Sequence, residues 1–254
     1  MMRGKVIFYC LIGFYWGLGI PKIYALERTD SIPELKVHYQ VSFNGNYSEN
    51  IAEQFLATTN NSINLQKGSL GFTQLLNYQY STFKSSPSAA AINLLNETLT
   101  TSRLAYQINK TEPFALFGFE RSNVRSIKTR YYSITGVDYK LLNKKTVSLS
   151  PLIGLCSEST IYKDKSNYNY YFMVFGARGF HAHAQNKFRI QYDGYFFRRM
   201  TKNQWRYQAA FTGMIQIIKP LYATVNLNAL SENLISKELL QKITTISFGL
   251  TFRK

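Results

Sequence analysis

Polar and apolar residues alternate strictly along several stretches of this chain, and this alternation limits the fold more than any other feature. In the segment 35–44, LKVHYQVSFN, every odd position is apolar and every even position is polar. Because successive side chains of a β-strand point to opposite faces, the pattern predicts a strand with one apolar and one polar face. The pattern returns at 188–193, 205–209, 221–227 and 246–252. The sequence therefore predicts an all-β fold, and a short loop helix is expected at 232–242, where helical periodicity is best.

Turn signals divide the chain into about twelve segments of strand length, with ten as the alternative. The segments are 35–47, 53–65, 69–83, 97–108, 113–121, 128–141, 146–158, 168–180, 187–199, 204–218, 221–231 and 242–252. Short connections, such as Lys67-Gly68, alternate with longer ones, such as the stretch from Lys84 to Asn96. Outer-membrane barrels have short turns at one end, longer loops at the other and an even number of strands. The alternation in length predicts a transmembrane antiparallel up-and-down β-barrel.

Residues 1–25 have the features of a secretory signal peptide. Two basic residues, Arg3 and Lys5, precede an uncharged apolar run at 6–20, and the segment ends on a small residue. The run is short for a transmembrane helix of about 20 residues, which favours cleavage over a retained anchor. The expected organisation is a cleaved signal peptide and one barrel domain at 26–254. We expect the domain to lie in the outer membrane, inserted by the barrel-assembly machinery.

The aromatic content supports a membrane barrel over a soluble one. Aromatic residues make up 15% of the chain and charged residues only 17%, below the roughly 25% of a typical soluble protein. Tyr and Trp collect at both membrane interfaces of outer-membrane barrels. Near predicted strand ends, such a girdle is expected to contain Tyr131, Tyr132, Tyr168, Tyr170, Tyr171, Tyr195 and Trp205. A soluble periplasmic ligand-binding barrel, the alternative, would have to bury many bulky rings in its core.

The order of several motifs in the chain resembles a known family. The block from Ser102 to Thr160 contains Phe117-Gly118-Phe119-Glu120-Arg121, then Arg130-Tyr131, Gly136-Val137-Asp138-Tyr139 and the stretch Leu149 to Glu158. It is preceded by Asn44-Gly45-Asn46 and by the Tyr-rich stretch Leu76 to Phe83. Together these pieces resemble the domain of unknown function 481 family of salt-induced outer-membrane proteins. The resemblance implies a β-barrel in the Gram-negative outer membrane, with no established activity.

The chain is basic, with a formal net charge of +16, and several cations lie on the polar faces of predicted strands. In a membrane barrel that face lines the lumen, and the expected lumen-lining residues are Lys36, His38, Lys187, Arg189 and Arg206. A positive lining favours anions in a pore. Loop cations are expected to contact lipopolysaccharide phosphates, namely Arg125, Lys128, Lys163 and Lys165. Alternatively, all these charges are simply solvated. No nucleic-acid-binding signature accompanies them.

Residues with catalytic or metal-binding potential are few. His181 and His183 supply two metal ligands at most, and no neighbour completes a site, so neither metal nor cofactor is expected. One of these histidines would activate a serine if the chain were an outer-membrane lipid hydrolase, although no motif marks that serine. Cys156 is expected to be a small packing residue. The favoured function is a non-enzymatic, porin-like membrane barrel of unknown specific role, a narrow pore or structural barrel with a basic lumen.

Overall fold

The computed structural model describes residues 34–49, 53–84, 92–183, 187–233 and 242–253. The signal peptide expected at 1–25 lies outside these residues, and so does most of the helix expected at 232–242. Within the described residues, no helix is both long enough and apolar enough to cross a membrane.

The described residues form thirteen strands, all but one of them long. Their bounds are β1 Leu35–Glu49, β2 Glu53–Lys67, β3 Leu70–Lys84, β4 Ile92–Tyr106, β5 Thr111–Ser122, β6 Ile127–Tyr139, β7 Leu142–Asn143, β8 Val147–Tyr162, β9 Asn167–His183, β10 Phe188–Arg199, β11 Trp205–Ile218, β12 Leu221–Glu232 and β13 Lys242–Arg253. The two-residue β7 lies in the connection between β6 and β8. Each long strand pairs antiparallel with the long strands before and after it, and β1 pairs with β13. The twelve long strands of the described chain thus form a closed up-and-down barrel, which confirms the predicted fold.

Several strands are longer than the sequence pattern predicted. The fourth strand begins at Ile92, not at residue 97, and pairs there with Phe83 of β3. The strands β8 and β9 extend to Tyr162 and His183, a few residues beyond their predicted ends. Strand ends outside the hydrocarbon region face water on both sides, so their residues need not alternate. Backbone hydrogen bonding therefore continues past the point where the sequence signal ends.

The two faces of the barrel wall differ in polarity, as the alternation predicted. On β1, Phe43 is 64% exposed, whereas its neighbours Ser42 and Asn44 are 1% and 6% exposed. The same arrangement recurs on β13, where Phe248 is exposed and Ser247 is buried. Apolar side chains therefore face outward and short polar ones face the lumen. A soluble barrel would require the reverse, so the soluble alternative is wrong, and the exterior is suited to hydrocarbon.

The connections define two distinct ends of the barrel. Both β1 and β13 have their chain ends on the same side, which we call the terminal end. The two-residue turns 68–69 and 219–220 lie there. The opposite side, which we call the loop end, carries the connections 123–126, 163–166 and 200–204 among others. In outer-membrane barrels, the short turns lie on the periplasmic side and the longer loops on the extracellular side.

The predicted aromatic girdle is only partly correct. Tyr131 and Tyr171 face outward near the loop end and are 57% and 60% exposed. In contrast, Tyr132, Tyr170 and Tyr195 point into the barrel, where they pack with other apolar side chains. The expectation failed because neighbouring aromatic residues occupy both faces of a strand, as in RYYS on β6, NYNYYF on β9 and GYFF on β10. Alternation cannot assign a face where both sets of positions hold the same residue type.

We predict that arginine at the outward-facing Leu227 will destabilise the barrel by about 2–4 kcal/mol in a bilayer, because the charge enters hydrocarbon. Arginine at the adjacent Asn228, which lines a cavity in the lumen, should have a much smaller effect. The measurement is the free energy of unfolding of both variants in lipid vesicles. Equal losses for the two substitutions would contradict the assignment of the two faces.

Candidate functional site

The candidate site is the lumen of the barrel, and an apolar cluster fills one side of it. The cluster is contributed by β4, β5, β6, β8, β9 and β10. Its buried members are Ala105, Phe114, Leu116, Ile134, Leu152, Cys156, Tyr170, Phe172, Val174 and Phe197, with Tyr132 and Tyr195 packed against them. The rings of Phe172 and Phe197 meet edge to face, with their centroids 6.0 Å apart. The expectation that Cys156 is a packing residue agrees with its place in this cluster.

A glycine in the wall makes room for part of the apolar cluster. The ring of Tyr132 on β6 lies directly over Gly118 on the neighbouring β5, and a β-carbon at Gly118 would overlap that ring. Any larger residue at this position would displace Tyr132 into the lumen. The local sequence therefore holds a bulky ring flat against the wall instead of across the passage.

A group of charged residues near the loop end, which we call the loop-end cluster, crosses the lumen. Its members are Glu97, Glu120, Arg125, Arg130, Glu158, Arg206 and Glu232. Arg130 on β6 is fully buried and contacts Glu120 at 2.9 Å, Glu158 at 3.1 Å and Glu232 at 3.4 Å. Because Glu232 lies on β12, almost opposite β6 in the ring, this contact forms a charged bridge from wall to wall.

Two further arginines complete the loop-end cluster. Arg206 Nη1 lies 2.6 Å from Glu158, and its guanidinium carbon is 4.2 Å from the centroid of the Phe197 ring. Arg125, in the connection 123–126, pairs with Glu120 and with Glu97. Its side chain is 4% exposed, so the expectation that Arg125 contacts lipopolysaccharide is wrong. The connection turns inward and its charge is neutralised in the lumen.

A second charged group, the terminal-end cluster, lies along the wall formed by β4, β5, β6 and β9. Arg103 contacts Glu112 at 2.9 Å and Asp138 at 2.8 Å. Arg178 pairs with the same two carboxylates, and Lys140 lies 3.0 Å from Glu112. This cluster stays on one wall instead of crossing the lumen. Each acidic residue in it is shared by at least two cations.

Taken together, the two clusters are electrically balanced in the described structure. They contain six basic and six acidic residues. A buried charge without a partner is strongly unfavourable, so such pairing is expected of charges held inside a protein. Arg206, which the sequence suggested as part of a positive lining, is therefore neutralised by Glu158 and adds no net field.

The opposite side of the lumen carries short, uncharged polar side chains, and we call it the polar wall. It is formed by β12, β13, β1, β2 and β3, and its inward residues include Ser42, Asn44, Thr58, Asn60, Asn77, Thr224, Asn226, Asn228, Ser247 and Thr251. The hydroxyls of Ser42 and Thr251 are 2.6 Å apart and share a hydrogen bond. Thr224 and Asn226 both donate to the side-chain oxygen of Asn44, at 3.1 and 3.0 Å.

A cavity of about 710 Å³ lies between the polar wall and the filled side of the barrel. Near the terminal end it is lined by His38 and Arg253, and near the loop end by Arg125 and Leu230. Between them, amide and hydroxyl side chains of the polar wall face Tyr195 and Phe197. The cavity therefore runs along the polar wall between the two ends.

The residues predicted to line the lumen occupy different places. Lys36 and His38 lie on the inward face of β1 at the terminal end, and His38 lines the cavity. Arg189 points into the lumen over the ring of Phe180. Lys187 is exposed in the connection just before β10. The structure brings Lys36, His38 and Arg189 to the terminal end and places Arg206 separately, in the loop-end cluster.

The two histidines considered for chemistry lie near the terminal end of β9, on its outward face. The ring of His181 stacks on that of Tyr192, with Nε2 at 3.5 Å from the tyrosine hydroxyl. No serine hydroxyl is hydrogen-bonded to His181 or His183 in the described part of the chain. Among the same residues, no group of three or more His, Cys, Asp or Glu side chains is placed to hold a metal ion.

Sequence reasoning missed the acidic half of both clusters and also Arg253. A signal for the acids was present, because Glu120, Glu158 and Glu232 occupy polar-face positions of membrane strands. A carboxylate on such a face needs a cation nearby. Their partners are more difficult to identify, since Arg130 and Glu232 are 102 positions apart in sequence.

Comparisons with known proteins give one family and several similar structures. The model of a family described as "Protein of unknown function, DUF481" matches residues 78–253. Similar solved structures include the NanC porin, with 9% identity, a TM-score of 0.48 and coverage of 85% of this chain and 99% of that one. The translocator domain of the autotransporter NalP from Neisseria meningitidis has 11% identity, a TM-score of 0.42 and coverage of 90% and 91%. An anion-selective porin from Comamonas acidovorans has 8% identity, a TM-score of 0.39 and coverage of 87% and 99%. No curated protein sequence matches the chain.

We predict that replacing Arg130 with methionine will destabilise the barrel by about 3–5 kcal/mol, because buried carboxylates lose their shared counter-charge. Adding Glu158→Gln to that variant should recover part of the loss, because it removes one of the unpaired charges. The measurement is the free energy of unfolding by denaturant. Arg198→Met, at an exposed outward position near the same end, is the control and should have little effect. Similar losses for Arg130→Met and Arg198→Met would show that the cluster contributes nothing.

Proposed function

The chain belongs to the DUF481 family, and on that premise we propose that it forms a narrow passive channel for small polar solutes across the outer membrane. The observation that carries the proposal is the cavity along the polar wall. Its lining extends from Arg253 at the terminal end to Arg125 and Leu230 near the loop end. A structural barrel with no passage would have no need of a continuous polar lining beside an apolar cluster.

The dimensions of the cavity make the proposed channel narrow. Lining residues on β13 extend from Ile243 to Arg253. That stretch corresponds to a height of about 25 Å for a strand rising about 3.3 Å per residue and tilted by about 40°. A volume of 710 Å³ spread over this height gives a mean cross-section of about 28 Å². Water and small solutes fit such a passage, whereas large or folded substrates do not.

The chemistry of the polar wall favours solutes that exchange hydrogen bonds with amides and hydroxyls. Side chains of Asn, Gln, Ser and Thr replace part of the hydration of a polar solute without binding it through charge. The loop-end cluster narrows the same passage, because the contact between Arg130 and Glu232 crosses it. We infer slow diffusion of small polar molecules through the channel, with the narrowest section near the loop end.

The outer face of the loop end carries exposed cations that are suited to contact with lipopolysaccharide. Exposed cations lie on one side of the barrel, on β5, β6, β10 and the connections 163–166 and 200–204, and they are Arg121, Lys128, Lys163, Lys165, Arg198 and Lys202. Phosphate groups form charge-assisted contacts with such side chains. We propose that this side contacts lipopolysaccharide in the outer leaflet. We also propose that the barrel-assembly machinery inserts the barrel into the outer membrane.

We predict that tryptophan at Asn228, on the polar wall, will reduce the conductance of the barrel severalfold, because a bulky ring enters a narrow cavity. The matched control is tryptophan at Leu227, which faces lipid and should leave conductance unchanged. Both variants are refolded in detergent and measured as single channels in planar bilayers. A wild-type barrel with no conductance, or equal conductance in the two variants, would contradict the proposed channel.

A further inference from the structure

Two arginines at the terminal end differ from the arginines of the two charged clusters. Arg189 on β10 and Arg253 on β13 both point inward, and neither has an acidic partner among the described residues. By contrast, the arginines of the two clusters are each paired with at least one carboxylate. The terminal end of the described lumen therefore carries uncompensated positive charge.

Arg189 is held in place by its surroundings. Its guanidinium lies over the ring of Phe180, with its carbon 4.0 Å from the ring centroid. The amide oxygen of Gln191, with the amide turned towards the arginine, accepts from Nη2 and Nε at 3.2 and 3.3 Å. These contacts fix the direction of the guanidinium without neutralising it. A planar cation held in one orientation is suited to bidentate contact with an oxyanion.

Arg253 adds a second cation to the same region. Both arginines lie on the inward faces of their strands near the terminal end, and Tyr222 lies on the inward face of β12, the strand next to β13. Arg253 also lines the cavity, together with Gln191 and His38. Two like charges brought together near a cavity are unfavourable unless an anion joins them. The Tyr222 hydroxyl adds a hydrogen-bond donor for the same anion.

The nearest inward-facing acids do not neutralise this region. Asp193 lies four residues deeper along β10, and Glu112 and Asp138 are already shared among the cations of the terminal-end cluster. Lys36, exposed on the inward face of β1, increases the positive field at the opening. Positive charge around an opening attracts anions and raises their local concentration.

We propose that Arg189, Arg253 and Tyr222 form a binding site for small oxyanions, carboxylates or phosphates, at the terminal end of the lumen. The biological meaning of this site rests on the proposed channel, where it would select anions at the periplasmic opening. Binding itself does not depend on conduction. The site also accounts for two half-buried arginines that the rest of the described structure leaves without a counter-charge.

The test is binding of inorganic phosphate and of acetate to the refolded full-length barrel in non-ionic detergent, measured by isothermal titration calorimetry. We expect saturable binding to the wild type and at least a tenfold loss of affinity in the double variant Arg189→Gln, Arg253→Gln. The double variant Arg189→Lys, Arg253→Lys keeps the charge and should retain part of the affinity. Lys145→Gln, at an exposed position in the connection between β7 and β8, is the control and should bind like the wild type.

Each outcome of the titration has a clear meaning. A gel assay shows whether each variant has folded. A folded barrel resists unfolding in detergent at room temperature, so its mobility shifts only after heating. If the glutamine variant does not fold, the lysine variant and Tyr222→Phe provide the comparison. Two results would overturn the proposed site. One is a lack of saturable phosphate or acetate binding to the wild type, and the other is equal affinity in folded variants that lack the guanidinium groups.

A bilayer measurement separates this inference from the proposed channel. In a gradient of potassium chloride, the reversal potential of the wild type should indicate a preference for chloride over potassium. The reversal potential of the glutamine variant should lie closer to zero. A barrel that binds phosphate but does not conduct contradicts the channel and leaves the site intact. A barrel that conducts without binding phosphate or acetate overturns the site and leaves the channel intact.

Discussion

The structure depends on the requirement that every backbone hydrogen-bonding group be satisfied within the hydrocarbon of a bilayer. Strands meet this requirement only when the sheet closes on itself, so the pairing of β1 with β13 is as essential as any hairpin. Closure also fixes the direction of each side chain. Apolar residues such as Phe43 and Phe248 must contact lipid, and the polar residues between them must share a confined interior. The remaining features of the molecule are consequences of how that interior is filled.

Charge in such an interior has to be compensated by neighbouring side chains. The loop-end cluster achieves this by surrounding the fully buried Arg130 with carboxylates from three other strands, so that no single pair bears the whole cost of desolvation. One of these carboxylates, Glu232, comes from almost the opposite side of the ring. The same contacts therefore compensate the buried charges and narrow the lumen. A wider lumen would separate the partners and leave their charges unpaired.

Local features were predictable from sequence and contacts across the lumen were not. The strict alternation in the segment 35–44 identified a strand and both of its faces, because face assignment needs only neighbouring residues. It failed at β9, where aromatic residues occupy both faces, and Tyr170 was placed in a girdle although it lies in the apolar cluster. Arg206 was assigned to the polar face correctly, but its neutralisation by Glu158 depends on pairing between distant strands. The sequence thus predicts which residues enter the lumen and does not reveal which of them meet.

The contrast between the two sides of the lumen explains why a passage can remain beside a packed interior. Bulky rings on β6, β9 and β10 fill space, and the glycine beneath Tyr132 keeps that ring against its wall. On the polar wall, side chains such as Ser42 and Asn44 bond to neighbours on the same wall and do not reach across. The charges of the two clusters cancel only when both are counted together, and the terminal-end cluster alone has one more basic than acidic residue. Arg189 and Arg253 lie at the terminal end without an acidic partner among the described residues, so the proposed selectivity for anions arises at that opening.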